Sequence, residues 1–135
     1  MGKKVVLDTN IFISALGWKG KPRQIFQKCI NDELELVTSP QQISELVRVM
    51  DYPKFNFAQE EKDIFVSIIL KIARLVYITE KVKVIKEDPD DDIILETASV
   101  GNVDYIVSGD PHLLKLKEFG KVKMITANEF LEIIE

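Results

Sequence analysis

The sequence predicts an α/β protein, a three-layer α/β/α sandwich around a central parallel sheet. Short apolar runs bounded by polar or turn residues alternate with stretches whose apolar residues recur at helical spacing. Strands alternating with helices build parallel sheets covered on both faces. The first run, Val5-Val6-Leu7, ends abruptly in Asp8-Thr9-Asn10. That is the pattern of a fully buried strand whose last residues emerge at the sheet edge where open α/β sheets place their chemistry.

After Asn10, Ile11 to Leu16 reads as a short helix broken by Gly17-Trp18-Lys19-Gly20. Pro22 suits the first turn of a second helix, with Ile25, Phe26, Cys29 and Ile30 facing inward. Leu34 to Val37 is a second strand. Ser39-Pro40 with Gln42 three residues after the cap reads as a capping box opening a helix that buries Ile43, Leu46, Val47 and Met50 and stops before Tyr52-Pro53. The next helix starts near Gln59 and buries Ile64, Phe65, Ile68, Ile69 and Ile72. Leu75 to Ile78 is a third strand, and Lys81 to Glu87 a marginal edge segment. Asp88-Pro89 starts a helix to about Val100. Tyr105 to Val107 is a fourth strand and Val122 to Ile125 a fifth. The final helix opens at Thr126, with Glu129 completing a capping box, and buries Phe130, Leu131, Ile133 and Ile134. The doubly wound order 3-2-1-4-5 sets strands one and four side by side, which carries Asp8 next to Asp110.

The length fits one domain, 1–135, with no repeat or linker dividing it. Eighteen basic against twenty-two acidic residues give a net charge of −4, which lacks the basic footprint of a nucleic-acid binder. Four carboxylates bound to divalent metal would account for the whole excess. The single cysteine, Cys29, excludes an internal disulfide and suits a reducing compartment, and it falls in phase with an apolar helix face. There is no long uncharged apolar run and no signal-peptide core, so a cytoplasmic location is expected.

Asp8 and Asn10 could cap the following helix, but a cap needs one such residue and this edge has two. Asp110 precedes Pro111, the pattern of a helix cap with proline at the first position; such a carboxylate keeps a second oxygen for other work. In Asp88-Pro89-Asp90-Asp91-Asp92, a wheel centred on Ile94 turns Asp91 and Asp90 toward the packed side and Asp92 outward with Glu96 and Ser99. Glu45 lies nearly opposite its helix's apolar stripe and reads as a solvated residue. Clustered carboxylates raise one another's pKa values, so their convergence asks for a cation. Oxygen donors with no cysteine pair and one histidine favour Mg²⁺ or Mn²⁺ over zinc. His112 reads as incidental.

Val6-Leu7-Asp8-Thr9-Asn10, Ser39-Pro40 followed by Glu45, the block Asp88 to Ala98, and Tyr105-Ile106-Val107-Ser108-Gly109-Asp110 together resemble the PIN-domain family, particularly its small prokaryotic toxin-like branch. The resemblance runs over nearly the whole chain. It implies an α/β/α sandwich whose acids bind Mg²⁺ or Mn²⁺ and hydrolyse phosphodiesters in single-stranded RNA, leaving a 5′-phosphate and a 3′-hydroxyl. By position the metal-binding acids fall on Asp8, Glu45, Asp91 and Asp110, with Asn10 and Ser108 as supporting groups and Asp92 the runner-up to Asp91. Glu45 enters through this match alone; its helical phase argues otherwise unless that helix side overlooks the cleft. Serine at 108 stands where many relatives carry threonine. A cognate antitoxin and a homodimer are further implications.

Lys19, Lys21 and Arg23 could guide phosphates, and Trp18 either stacks on a base or packs over its loop. The rival reading is a binding module that holds RNA or a protein without cutting. A haloacid-dehalogenase-like phosphatase would need an acid where Asn10 stands, and a receiver domain an early acidic pair and a late lysine that are not evident.

Overall fold

The computed structural model describes residues 2–78 and 89–134, apart from the side chains of residues 89–91. In chain order the elements are β1 (Lys4–Leu7), α1 (Thr9–Gly17), α2 (Lys21–Ile30), β2 (Glu35–Thr38), α3 (Pro40–Met50), α4 (Gln59–Ile72), β3 (Arg74–Leu75), α5 (Pro89–Gly101), β4 (Tyr105–Val107), α6 (Pro111–Leu116), β5 (Glu118–Phe119), β6 (Val122–Ile125) and α7 (Ala127–Ile134). The expected edge segment Lys81 to Glu87, and Asp88, lie outside the described residues.

The sheet order is β3-β2-β1-β4-β6-β5. All pairings are parallel except β5 with β6, which is antiparallel. The expected order holds with β6 in fifth place; the correction is the two-residue strand β5 added outside it. A strand that short carries no period to read, and the turn into it passes through Lys117 at φ 62°. Helix α6 was expected only as a cap and proves to be an element of its own. β3 is also shorter and earlier than expected, leaving Tyr77 exposed beyond it.

Alternation along the strands divides the core between the two sheet faces. Val5, Leu7, Leu36, Val107 and Ile125 pack with α1, α2, α3, α4 and α7 around Phe12, Ile25, Leu46, Phe65 and Phe130. Val6, Val37, Ile106, Val122 and Met124 pack on the other face with Ile94, Leu95 and Ala98 of α5 and Leu113 of α6. Gly101 ends α5 against the sheet: a Cβ there would stand 2.6 Å from a Val37 methyl.

Several helices expose residues that periodicity had turned inward, namely Ile30, Val47, Ile64 and Ile133. For α3 the cause is specific. Gln42 is completely buried, and counting it with Leu46 and Met50 rotates the packed face away from Val47 and toward Glu45. Nor does Gln42 close a capping box: Ser39 Oγ accepts from the Gln42 N–H at 3.2 Å, but the Gln42 side chain goes elsewhere. The box at Thr126 and Glu129 forms as expected. On α5, Glu96 is buried rather than outward, because this helix touches α3 as well as the sheet and is buried continuously from Ile94 to Ala98.

Candidate active site

The parallel register sets Leu7 level with Val107, so the residues following β1 and β4 emerge together at the carboxyl edge of the sheet. The Asp8 N–H closes this junction on the Val107 carbonyl at 3.1 Å. Asp8 then caps α1, one carboxylate oxygen accepting from the Ile11 N–H at 3.1 Å. Its other oxygen accepts a short hydrogen bond from the Ser108 hydroxyl. Ser108 Oγ in turn accepts the Asp110 N–H at 2.9 Å, so one buried hydroxyl ties the two acids together. Asp110 caps α6 through the His112 N–H at 2.7 Å, with Pro111 at the first helical position. Both acids serve as caps and both also line the cleft described next.

That cleft, about 70 Å³, is bounded by Asp8, Thr9, Asn10, Glu45, Val49, Ile94 and Asp110. Glu45 reaches it because α3 packs along α1, so the flank that sequence phase assigned to solvent overlooks the sheet edge. The Thr9 hydroxyl donates to Glu45 Oε2 at 2.6 Å. Asn10 stands exposed at the rim, while Ser108 lies beneath it, fully buried. The side chains of Asp90 and Asp91 fall outside the described residues; their backbone opens α5, whose Ile94 lines the cleft. Asp92 is half-buried.

Electrostatics strain this arrangement. Asp8 is only 3% exposed, and burial pushes its carboxyl above the ordinary range, with Asp110 adding to the rise and the Ser108 and Ile11 hydrogen bonds opposing it. A buried carboxylate beside a second one is tolerated when a cation offsets both. Among the described residues no three acidic, histidine or cysteine side chains cluster tightly enough to hold a metal by themselves. The polar groups of the cleft, Asp8, Thr9, Asn10, Glu45 and Asp110, nonetheless offer carboxylate, hydroxyl and amide groups, the donor chemistry of Mg²⁺ or Mn²⁺ and not of zinc.

A buried polar network brackets the site. The Gln42 amide N–H donates to the carbonyl of Leu7, the residue before Asp8, while its oxygen accepts from Thr38 at 3.0 Å. The hydroxyls of Ser39 and Thr97 meet at 2.8 Å, joining the start of α3 to α5. Thr9 and Thr97 were not singled out from sequence, and Gln42 only as a capping-box residue; Thr9 sits between two residues that were, and that was the available signal. Arg23 does not face the cleft as a phosphate guide: its guanidinium donates to the Ala15 and Leu16 carbonyls at 2.8 Å each, closing the end of α1.

The PIN domain family model matches residues 4–112 of the sequence. The chain belongs to the PIN domain family. Three solved structures share this PIN fold. VapBC2 from Rickettsia felis, bound to a DNA fragment from their promoter, aligns at 14% identity and TM-score 0.61 over 90% of this chain and 96% of that one. FitAcB from Neisseria gonorrhoeae aligns at 16% and 0.60, over 91% and 97%. PAE2754 from Pyrobaculum aerophilum aligns at 13% and 0.60, over 98% and 89%. At such identities the likeness is one of fold. No curated protein matches the sequence.

Proposed function

We propose that this PIN domain, a single domain over 1–135, is a Mg²⁺- or Mn²⁺-dependent endoribonuclease. It hydrolyses phosphodiester bonds of single-stranded RNA as the toxin of a toxin–antitoxin pair. The observation that carries the reading is the shared cleft: Asp8, Glu45 and Asp110, brought from three separate elements, line it together. Asp91, in the first turn of α5, is the proposed fourth acid. These four residues would hold the cation. When bound, it supplies neutralisation of phosphate charge and acidifies water at neutral pH.

The rest falls to the chain. Ser108 donates to Asp8 and so favours its ionised form against the cost of burial. Thr9 holds the Glu45 carboxylate at the cleft, and Asn10, exposed at the rim, offers an amide to a substrate phosphate. No side chain is required as nucleophile. Family membership supports the nuclease chemistry, and the fold likeness to VapBC2 and FitAcB supports the toxin reading with a cognate antitoxin as partner; a homodimer is part of the proposal. Among the described residues no helix is long and apolar enough to cross a membrane; the cytoplasmic location is part of the proposal.

The test is cleavage of end-labelled single-stranded RNA with Mg²⁺ or Mn²⁺, with chelator, and with Asp8→Asn and Asp91→Asn proteins. Metal-dependent cleavage lost in both variants is expected. Equal activity in all three proteins would overturn the reading, and RNA binding without cleavage would favour a non-catalytic binding module.

A further inference from the structure

Four aromatic rings form a continuous tier beyond the far ends of α1 and α3. Tyr52 and Phe55 lie 6° from parallel with centroids 6.5 Å apart, and Phe55 and Phe57 8° from parallel at 5.5 Å. Trp18 meets Phe57 edge-on at 6.4 Å. The inner rings, Phe55 and Phe57, are half-buried against the core, whereas Trp18 is 55% and Tyr52 39% exposed. Backbone geometry holds the tier: Asn56 takes φ 52° between the two phenylalanines, and the Phe57 ring rests on Gly17, where a Cβ would stand 3.1 Å from it.

Large aromatic rings braced by neighbouring rings and left partly exposed suit recognition of flat ligands at small entropic cost. Cations interleave them. Lys54 Nζ stands 5.1 Å from the Phe55 ring, Arg48 donates to the Tyr52 hydroxyl at 2.7 Å, and Lys19 and Lys21 flank Trp18 exposed. Of the nearby acids, Asp51 is paired with Lys62 at 2.6 Å and Glu61 is turned to the Ala58 N–H. Aromatic faces among cations are how proteins hold unpaired nucleobases without reading their sequence. Both helices run from the cleft to the tier: α1 from Thr9 spans about 13 Å, and Tyr52 lies about 10 Å along α3 from Glu45. A strand seated at the carboxylates reaches the tier within a few nucleotides.

We infer that Trp18 and Tyr52, backed by Phe57 and Phe55, form a stacking subsite for unpaired bases flanking the cleaved bond of single-stranded RNA. This rests on the nuclease reading for its substrate, not for its test. Trp18 is the only tryptophan, so its emission reports the subsite directly. Full-length Asp8→Asn protein is titrated with an oligouridylate and with an RNA duplex of equal length. The single strand should quench Trp18 emission and the duplex should not. Tyr52→Ala and Trp18→Ala, each added to Asp8→Asn and the latter followed by anisotropy of a labelled strand, should weaken binding about tenfold apiece, with Trp18→Phe restoring most of it. In otherwise wild-type protein the same changes should raise KM and spare kcat. Unchanged emission, unchanged affinity, or a change of oligomeric mass in place of a change in RNA affinity would overturn the subsite, the last assigning the rings to a protein interface. Wild-type protein that quenches on RNA but never cuts it would overturn the nuclease reading and leave the subsite standing.

Discussion

Thr9 donates its hydroxyl to Oε2 of Glu45 across 2.6 Å, so the residue next to the first acid of the cleft holds the second. A hydrogen bond to a carboxylate favours its charged form and fixes its rotamer. Thr9→Val keeps the shape of a buried side chain and removes the hydroxyl. We expect Mn²⁺ affinity and kcat to fall about tenfold, with Tm within a few degrees of wild type and Thr9→Ser restoring both. Calorimetric Mn²⁺ titration beside turnover of labelled RNA checks this; a valine variant that binds Mn²⁺ normally would contradict it.

Asp8 sets up an opposition between stability and chemistry. Burial holds its folded pKa above the ordinary carboxylate value. Its titration therefore contributes stability that is complete below the ordinary value and is lost as pH rises through the folded pKa. Well above the ordinary value and without metal, the folded state gives up that contribution, so Asp8→Asn should melt about 3 °C or more above wild type. The difference should shrink as pH is lowered toward 4, and saturating Mn²⁺ should stabilise wild type more than the variant. Thermal melts in chelator across that range test it, and a variant less stable than wild type at pH 7 would count against it.

Gln42 is buried with its amide divided between the Leu7 carbonyl and the Thr38 hydroxyl. Gln42→Leu leaves both without a partner, and a buried polar group so stranded costs about 1–3 kcal/mol. Urea unfolding should show a lower midpoint with an unchanged slope. A loss under about 0.5 kcal/mol would mean that the Leu7 carbonyl finds another donor.

Cys29 packs in the core between α2 and the sheet, and burial pushes its thiol up to about 12. The thiolate is the reactive form, so a thiol reagent at pH 8 should modify native protein far more slowly than denatured protein. Equal rates would show that α2 opens readily.

Much of this architecture is legible in the sequence because the β strands at the centre are short, fully apolar and punctuated. Val5 to Leu7 and Tyr105 to Val107 emerge where expected, and their pairing brings Asp8 and Asp110 to one edge. Glu45 shows where such reading fails. The phase of α3 was set by counting apolar residues, yet the residue that fixes that phase is polar: Gln42 is buried because the end of β1 offers it a carbonyl. Nothing local announces that partner, which lies 35 positions away. The same blindness turned Glu96 outward, since the contact α5 makes with α3 as well as with the sheet buries a flank that its own apolar pattern leaves to solvent. Strand β5 and helix α6 were too short to leave a period.

The central claim is that carboxylates drawn from separate elements make one divalent-cation site. Calorimetric titration of metal-free protein with Mn²⁺ tests it most directly. Saturable binding in wild type, weakened at least tenfold in each of Asp8→Asn, Glu45→Gln, Asp91→Asn and Asp110→Asn, is the predicted result. A flat titration of folded wild-type protein, or binding that none of the four changes disturbs, would contradict it.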